Sequence, residues 1–170
     1  MTTLTDYTPD EQQLLLRSLQ AAAVAVSAAS LGRKTETVSE GFAAASFIME
    51  RSQATVDNTL ITSIQFALDE RARHDQPFPS FEKAVMAPGA EDDAMETLRQ
   101  VNTLLAEKST PDEAHGFKTW LMEIAQRTAA AGKEGGNFFG RGAVQINDAE
   151  RAALAQIVQV LGVAIDGTAA

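Results

Sequence analysis

The same four residues appear twice in this chain at a position suited to starting a helix. Thr-Pro-Asp-Glu occurs at 8–11 and again at 110–113. In each copy the threonine hydroxyl can accept from a backbone N–H, the proline suits the first helical position, and the glutamate can close a capping box. Asn147-Asp-Ala-Glu150 is a third polar cap followed by a glutamate three residues later. Three such starts in one chain favour a helical fold.

The apolar residues between these starts recur at helical spacing. Prolines at 77 and 79 interrupt the pattern, and only a short helical turn near 80–87 fits there. Strand-like alternation never exceeds four residues, the best case being 143–146. Four sets of apolar residues each share one helical face: Val38, Phe42, Ala45 and Met49; Val56, Leu60, Ile64 and Leu68; Met95, Leu98, Val101 and Leu105; and Ala153, Ile157, Val160 and Leu161.

These patterns predict an all-α fold, a single irregular bundle of about six helices. The whole chain, 1–170, is long enough to bury the core of one domain, with flexible ends at 1–7 and 164–170. The repeated motif leaves both an internal duplication and a convergence of two capped helices open. The helices are predicted near 9–31, 36–53, 55–73, 91–108, 111–132 and 148–163.

Composition argues against several classes of partner. The 23 acidic and 14 basic residues give a net charge of −9, which opposes attraction to nucleic acid and to anionic membranes. The most apolar window, 19–31, is about half the ~20 residues that a spanning helix needs. The chain has no cysteine and no signal-like N-terminal segment, so we expect a cytoplasmic protein with no nucleic-acid or membrane partner.

A glycine-rich segment at 131–144 is the strongest chemical signal. It fails as a phosphate loop, because Gly132-Lys133 is followed by glutamate instead of serine or threonine, and Gly140-Arg-Gly142 lacks the third glycine of a dinucleotide fingerprint. The preferred interpretation is a corner between two helices, with Phe138 and Phe139 anchoring the loop. The alternative is a site in which Lys133 and Arg141 bind an anionic small molecule.

No other residue pattern predicts chemistry. The acidic run 91–96 lacks the spacing of a calcium loop and suits the first turn of a helix. His74 and His115 are the only histidines, and no Glu-x-x-His motif accompanies them. No Gly-x-Ser-x-Gly elbow occurs, and Trp120 is expected to be a core or interface aromatic. We therefore expect no catalytic residue, no metal and no cofactor.

The last third of the chain resembles a family of small, functionally uncharacterised bacterial all-helical proteins. The resemblance rests on the pattern GFKxWL, AGKEGG and GxVxxxxAE, which corresponds here to 116–121, 131–136 and 142–150. A weaker similarity is to tellurite-resistance TerB-like domains, in which a turn leads into a Glu-capped helix with a Leu-Gly end. Where those domains have Asp-Gly, this chain has Gly140-Arg-Gly142, so the resemblance implies no functional residue.

These observations favour a non-enzymatic, cytoplasmic helical protein with a binding or interaction function. They leave open whether the protein is associated with stress, and whether it forms a homo-oligomer or binds a protein partner. The alternative is an enzyme or sensor that binds an anionic small molecule at the glycine-rich loop 132–142.

Overall fold

The structure is a computed structural model that describes residues 1–30, 34–51, 53–76, 80–131 and 147–163. A 3-10 turn at Leu4–Asp6 precedes eight α-helices in these ranges. They are α1 (Pro9–Ala29), α2 (Lys34–Met49), α3 (Gln53–Val56), α4 (Thr59–Arg73), α5 (Phe81–Val85), α6 (Ala90–Lys108), α7 (Pro111–Ala131) and α8 (Asp148–Leu161).

The all-α prediction is confirmed, since the described ranges contain no strand. The six longest helices correspond to the six predicted ones, and α5 occupies the expected short turn after the prolines. No helix in the described residues is both long and apolar enough to cross a membrane.

Helix α1 is the centre of the bundle. It packs against α2, α5, α6, α7 and α8. Residues 21–27 are all buried, although a helix on a surface would expose every third or fourth position. Because this stretch consists of alanine, valine and serine, neighbouring helices can pack closely on several sides. The largest fully buried side chains around it include Leu98 and Leu105 of α6, Phe117 and Trp120 of α7, and Ile157 of α8.

Each predicted capping box is present, and each glutamate also makes a contact beyond its own helix. Glu11 of the Thr8 box accepts from Lys108 Nζ at the end of α6, at 2.7 Å. Glu150 of the Asn147 box accepts from the hydroxyl of Ser30, next to the end of α1, at 2.9 Å. The caps therefore fix helix starts and also hold neighbouring helix ends together.

Glu113 of the third box has the most partners. Its Oε2 accepts from Thr110 Oγ1 at 2.8 Å, and Thr110 Oγ1 accepts from the Glu113 N–H at 3.4 Å. Its Oε1 accepts from Thr59 Oγ1 at 2.9 Å and from the Thr2 N–H at 2.6 Å. Burial raises the pKa of the Glu113 carboxyl, but the hydrogen bonds from Thr2, Thr110 and Thr59 outweigh it and lower the pKa from 4.5 to about 2.

The N-terminal residues differ from the expectation of a flexible segment at 1–7. Leu4 and Tyr7 are buried in the core, and the Leu4 N–H donates to Ser63 Oγ at 2.8 Å. The Tyr7 hydroxyl is 2.6 Å from Ser109 Oγ. The sequence did not predict these contacts of the segment with α4, with α7 and with the connection between α6 and α7.

The predicted helix at 55–73 begins later, at Thr59. Asn58 lies before it in an extended conformation, and its Oδ1 accepts from the Ile61 N–H at 3.1 Å, so Asn58 is an N-cap. Val56 belongs to the short α3 and is exposed, so it does not share the buried face of Leu60. The predicted end of α2 at 53 is also wrong: Gln65 Nε2 donates to the carbonyls of residues 48 and 50, satisfying acceptors at the helix end.

Replacing Glu113 by glutamine should destabilise the fold in a pH-dependent way. The variant places an amide among hydrogen-bond donors, and we expect it to lose about 1.5–3 kcal/mol of unfolding free energy at neutral pH. Because the folded-state pKa is lowered, the wild-type advantage is fully present above 4.5 and is lost as the pH falls toward about 2. Urea denaturation across this window measures the difference. The control is Glu107→Gln at an exposed site of α6, and an equal pH dependence for both variants would contradict the prediction.

Candidate functional site

The residues predicted from the glycine-rich segment lie outside the described residues. Phe138 and Phe139 as loop anchors, and Lys133 and Arg141 as alternative anion ligands, remain predictions. The other sequence candidates behave as structural residues in the described ranges. The acidic run lies in the first turn of α6, His74 and His115 are exposed, and Trp120 is a core aromatic in T-shaped contact with Phe117. No cluster of His, Asp and Glu suited to a metal ion occurs in the described part of the chain.

A cavity of about 420 Å³ lies between α1, α2, α4 and the region of α5. Its volume is within the range of small-molecule sites, roughly 300–1,000 Å³. The lining side chains are mostly apolar. From α1 they are Leu19, Gln20 and Ala23; from α2, Gly41, Ala44, Ala45, Ile48 and Met49; from α4, Leu68, Arg71 and Ala72; and from the region of α5, Gln76, Ser80 and Phe81.

Small residues on α1 and α2 create this space. Ala23 and Ala44 are buried in the cavity wall, where a larger side chain would fill the gap between the helices. Gly41 contributes to the wall through close contact with the ring of Phe81. A Cβ at this position would lie 2.6 Å from Cδ1 of Phe81 and 3.1 Å from its Cγ, so only glycine lets the ring pack directly on the α2 backbone.

Arg71 is the single charged side chain among the described lining residues. It lies one helical turn after Leu68 on α4 and is half-buried. Its Nε atom is completely buried and has no hydrogen-bond partner within the part of the chain that the structure describes. Among the described residues the ion pairs do not include Arg71; they are Arg51–Asp69, Arg73–Glu70, Arg99–Glu96, Lys108–Glu11 and Arg151–Asp148.

The other polar lining groups are neutral. Gln76 and Ser80 lie just after α4 and just before α5, so three of the four polar side chains come from the region 71–80. The Gln76 N–H donates to the Arg71 carbonyl at 2.9 Å, which holds this turn against the end of α4. Ser80 precedes α5 but makes no side-chain capping hydrogen bond to it. The cavity therefore joins an apolar wall from α1 and α2 to a polar edge at the end of α4.

This lining suits binding better than acid-base chemistry. The described lining residues include no carboxylate and no imidazole, which are the usual general acids and bases. An arginine remains protonated and can bind or orient a ligand, but it does not exchange protons near neutral pH. The arrangement can hold an apolar molecule and present one positive charge to it.

The outer side of α2 is a second unusual surface. Val38 is 62% exposed and Phe42 is 75% exposed, although their spacing with Met49 marks one apolar face. The opposite side of the helix is turned toward the bundle instead, because its small residues such as Ala44 allow close packing on α1 and α7. Beside the exposed face, the Arg127 guanidinium lies 4.9 Å from the centre of the Phe47 ring.

Sequence reasoning missed the cavity and Arg71. The usable signal was the run of Gly41 and three alanines at 43–45, because a cluster of small residues on a helix leaves space or permits close approach. Arg71 gave no local signal, since it is surrounded in sequence by other charged residues.

Comparison with known proteins provides no further information on the site. No protein-family model matches the chain, and no match was found among curated proteins or among solved structures. The resemblance to small bacterial helical proteins and to TerB-like domains therefore stays a prediction.

The close contact between Gly41 and Phe81 predicts an energetic coupling. In a helix interior, Gly→Ala alone is worth about 1 kcal/mol of stabilisation. We expect Gly41→Ala to show this gain when Phe81 is replaced by alanine. With Phe81 present, Gly41→Ala displaces the ring, which should lower the free energy of unfolding by roughly 1–3 kcal/mol. A double-mutant cycle by urea denaturation measures the difference, and additive effects of the two substitutions would contradict direct packing of the ring on Gly41.

Proposed function

We propose that this protein is a non-enzymatic binding protein that holds a small, mainly apolar molecule in the cavity between α1, α2, α4 and α5. The observation that carries this proposal is the 420 Å³ cavity with a largely apolar lining. Such concave, apolar sites with a few polar groups are typical of ligand binding. The proposal gives a site to the binding or interaction function expected from the sequence, and this site differs from the glycine-rich loop of the alternative.

The cellular setting belongs to the same proposal. We place the protein in the cytoplasm, which is consistent with the absence of cysteine and with the acidic composition. A function in stress is compatible with a ligand-holding protein, and the similarity to tellurite-resistance TerB-like domains supports that direction. The anion site at Lys133 and Arg141 remains the alternative.

A larger side chain at the rim of the cavity should prevent binding. Ala72 lines the cavity but is itself exposed, so Ala72→Phe can obstruct the opening without overpacking the core. We expect octanamide, a neutral apolar probe, to shift the methyl NMR signals of Leu19, Ile48 and Leu68 in the wild-type protein and to raise its melting temperature. In Ala72→Phe these changes should be reduced at least about fivefold, as expected for a loss of roughly 1 kcal/mol of binding free energy.

Ala106→Phe is the matched control, because Ala106 is also exposed and lies near the end of another long helix. It should bind octanamide like the wild-type protein. Binding that is unchanged in Ala72→Phe, or methyl shifts that occur only outside the cavity, would refute the proposed site.

Self-association is the second candidate, favoured by the exposed apolar face of α2. A helix face with Val38, Phe42 and Met49 directed outward is the kind of surface that helix-helix interfaces cover. A twofold pairing would place the same face of a second copy against it. Met49 also lines the cavity, so this face borders the cavity, whereas Val38 and Phe42 are not among the lining residues.

Phe42→Ser should weaken self-association if this face is the interface. Because Phe42 is largely exposed, we expect little change in monomer stability, within about 0.5 kcal/mol. Light scattering across a dilution series should show dimers for the wild-type protein and at least about tenfold weaker association for the variant. Phe66→Ser on α4 is the control, since Phe66 is also an exposed phenylalanine. A wild-type protein that is monomeric at every concentration would rule out this candidate.

A further inference from the structure

We infer that the molecule held in the cavity is an amphipathic monocarboxylate, with its apolar part against α1 and α2 and its carboxylate bound by Arg71. This inference rests on the proposed binding function and specifies its ligand class. Its basis is the arrangement of one unpaired cation at the edge of an otherwise apolar cavity.

In the described ranges no carboxylate forms an ion pair with the guanidinium of Arg71, although the side chain is half-buried. Its neighbours on α4 do not supply a counter-charge, because Asp69 pairs with Arg51 and Glu70 pairs with Arg73. A carboxylate that binds the guanidinium of Arg71 would supply a counter-charge together with charge-assisted hydrogen bonds.

The number of charges indicates a monoanion. Among the lining residues that the structure describes, Arg71 is the only cation, and the chain has a net charge of −9. A doubly charged head, such as a phosphate monoester, would enter with one charge uncompensated and against the negative field of the protein. A planar carboxylate also matches the two-pronged geometry of a guanidinium. Gln76 and Ser80 offer further neutral hydrogen-bond donors at the same edge.

The direction of the ligand follows from the order of residues along α4. Leu68 lies one turn before Arg71, and the turn held by Gln76 follows it. The apolar part of the ligand therefore lies toward Leu68, Leu19 and Ile48, and the head lies toward the end of α4. An apolar chain also gains from burial, at roughly 25 cal/mol per Å² of apolar surface removed from water.

Four probes with the same alkyl chain separate the inference from the proposed function. They are octanoate, octanamide, octylammonium and octyl phosphate, titrated into the full-length protein and followed by calorimetry and by the methyl signals of Leu19, Ile48 and Leu68. We expect octanoate to bind at least about tenfold tighter than octanamide and octyl phosphate, and octylammonium to bind most weakly.

If none of the probes shifts these methyl signals, the proposed function fails. If octanamide shifts them but octanoate binds no tighter, the cavity binds ligands and the inference alone is overturned.

Substitution of Arg71 tests the position of the charge. In Arg71→Met, octanoate should lose about tenfold or more in affinity, while octanamide should bind as before. The retained octanamide binding also shows that the variant is folded. Arg71→Lys keeps the charge without the planar guanidinium, so its affinity for octanoate should lie between those of the wild-type protein and Arg71→Met.

Arg73→Met, which removes an exposed arginine paired with Glu70, is the matched control and should leave both affinities unchanged. A preference for octanoate that persists in Arg71→Met, or a preference for octyl phosphate in the wild type, would overturn the inference.

Discussion

The fold depends on capping glutamates that serve two purposes at once. A capping box normally satisfies the backbone donors of a single helix end. Here Glu11 also binds Lys108 at the end of α6, Glu150 also binds Ser30 next to the end of α1, and Glu113 connects three separate segments. Because the same carboxylate defines a helix start and its neighbour, local structure and tertiary packing are fixed together. An acidic chain can therefore use some of its surplus negative charge to organise the bundle.

Small residues then decide which helix surfaces touch. On α1 they permit close packing on several sides, which makes it the central helix. On α2 the buried Ala44 allows close approach to the bundle, while Phe42 and Val38 remain outside. Small side chains also line the cavity between α1, α2, α4 and the region of α5, and the Phe81 ring packs against the α2 backbone at Gly41. The small residues therefore account both for the close packing of the helices and for the cavity between them.

The helices were predictable from the sequence because their signals are local. Thr8, Thr110 and Asn147 are polar caps with a glutamate three residues later, and the structure begins a helix after each. The break at Asn58 was missed because the apolar spacing continues across it, although asparagine is itself a capping residue. The cavity and its arginine were not predictable in this way. They depend on the distances between four helices, which cannot be deduced from the spacing of apolar residues or from the composition.

An unpaired arginine is most informative in a chain of this composition. With 23 acidic residues and 14 basic ones, carboxylates are abundant, and four of the six exposed arginines in the described ranges, at 51, 73, 99 and 151, form an ion pair. Arg71 is more buried than these and would gain more from a partner, because desolvation strengthens both the cost of isolation and the benefit of pairing. Its neighbours on α4 instead turn their carboxylates to other residues. A cation kept without a partner at the edge of an apolar cavity is best explained by a partner that comes from outside the chain.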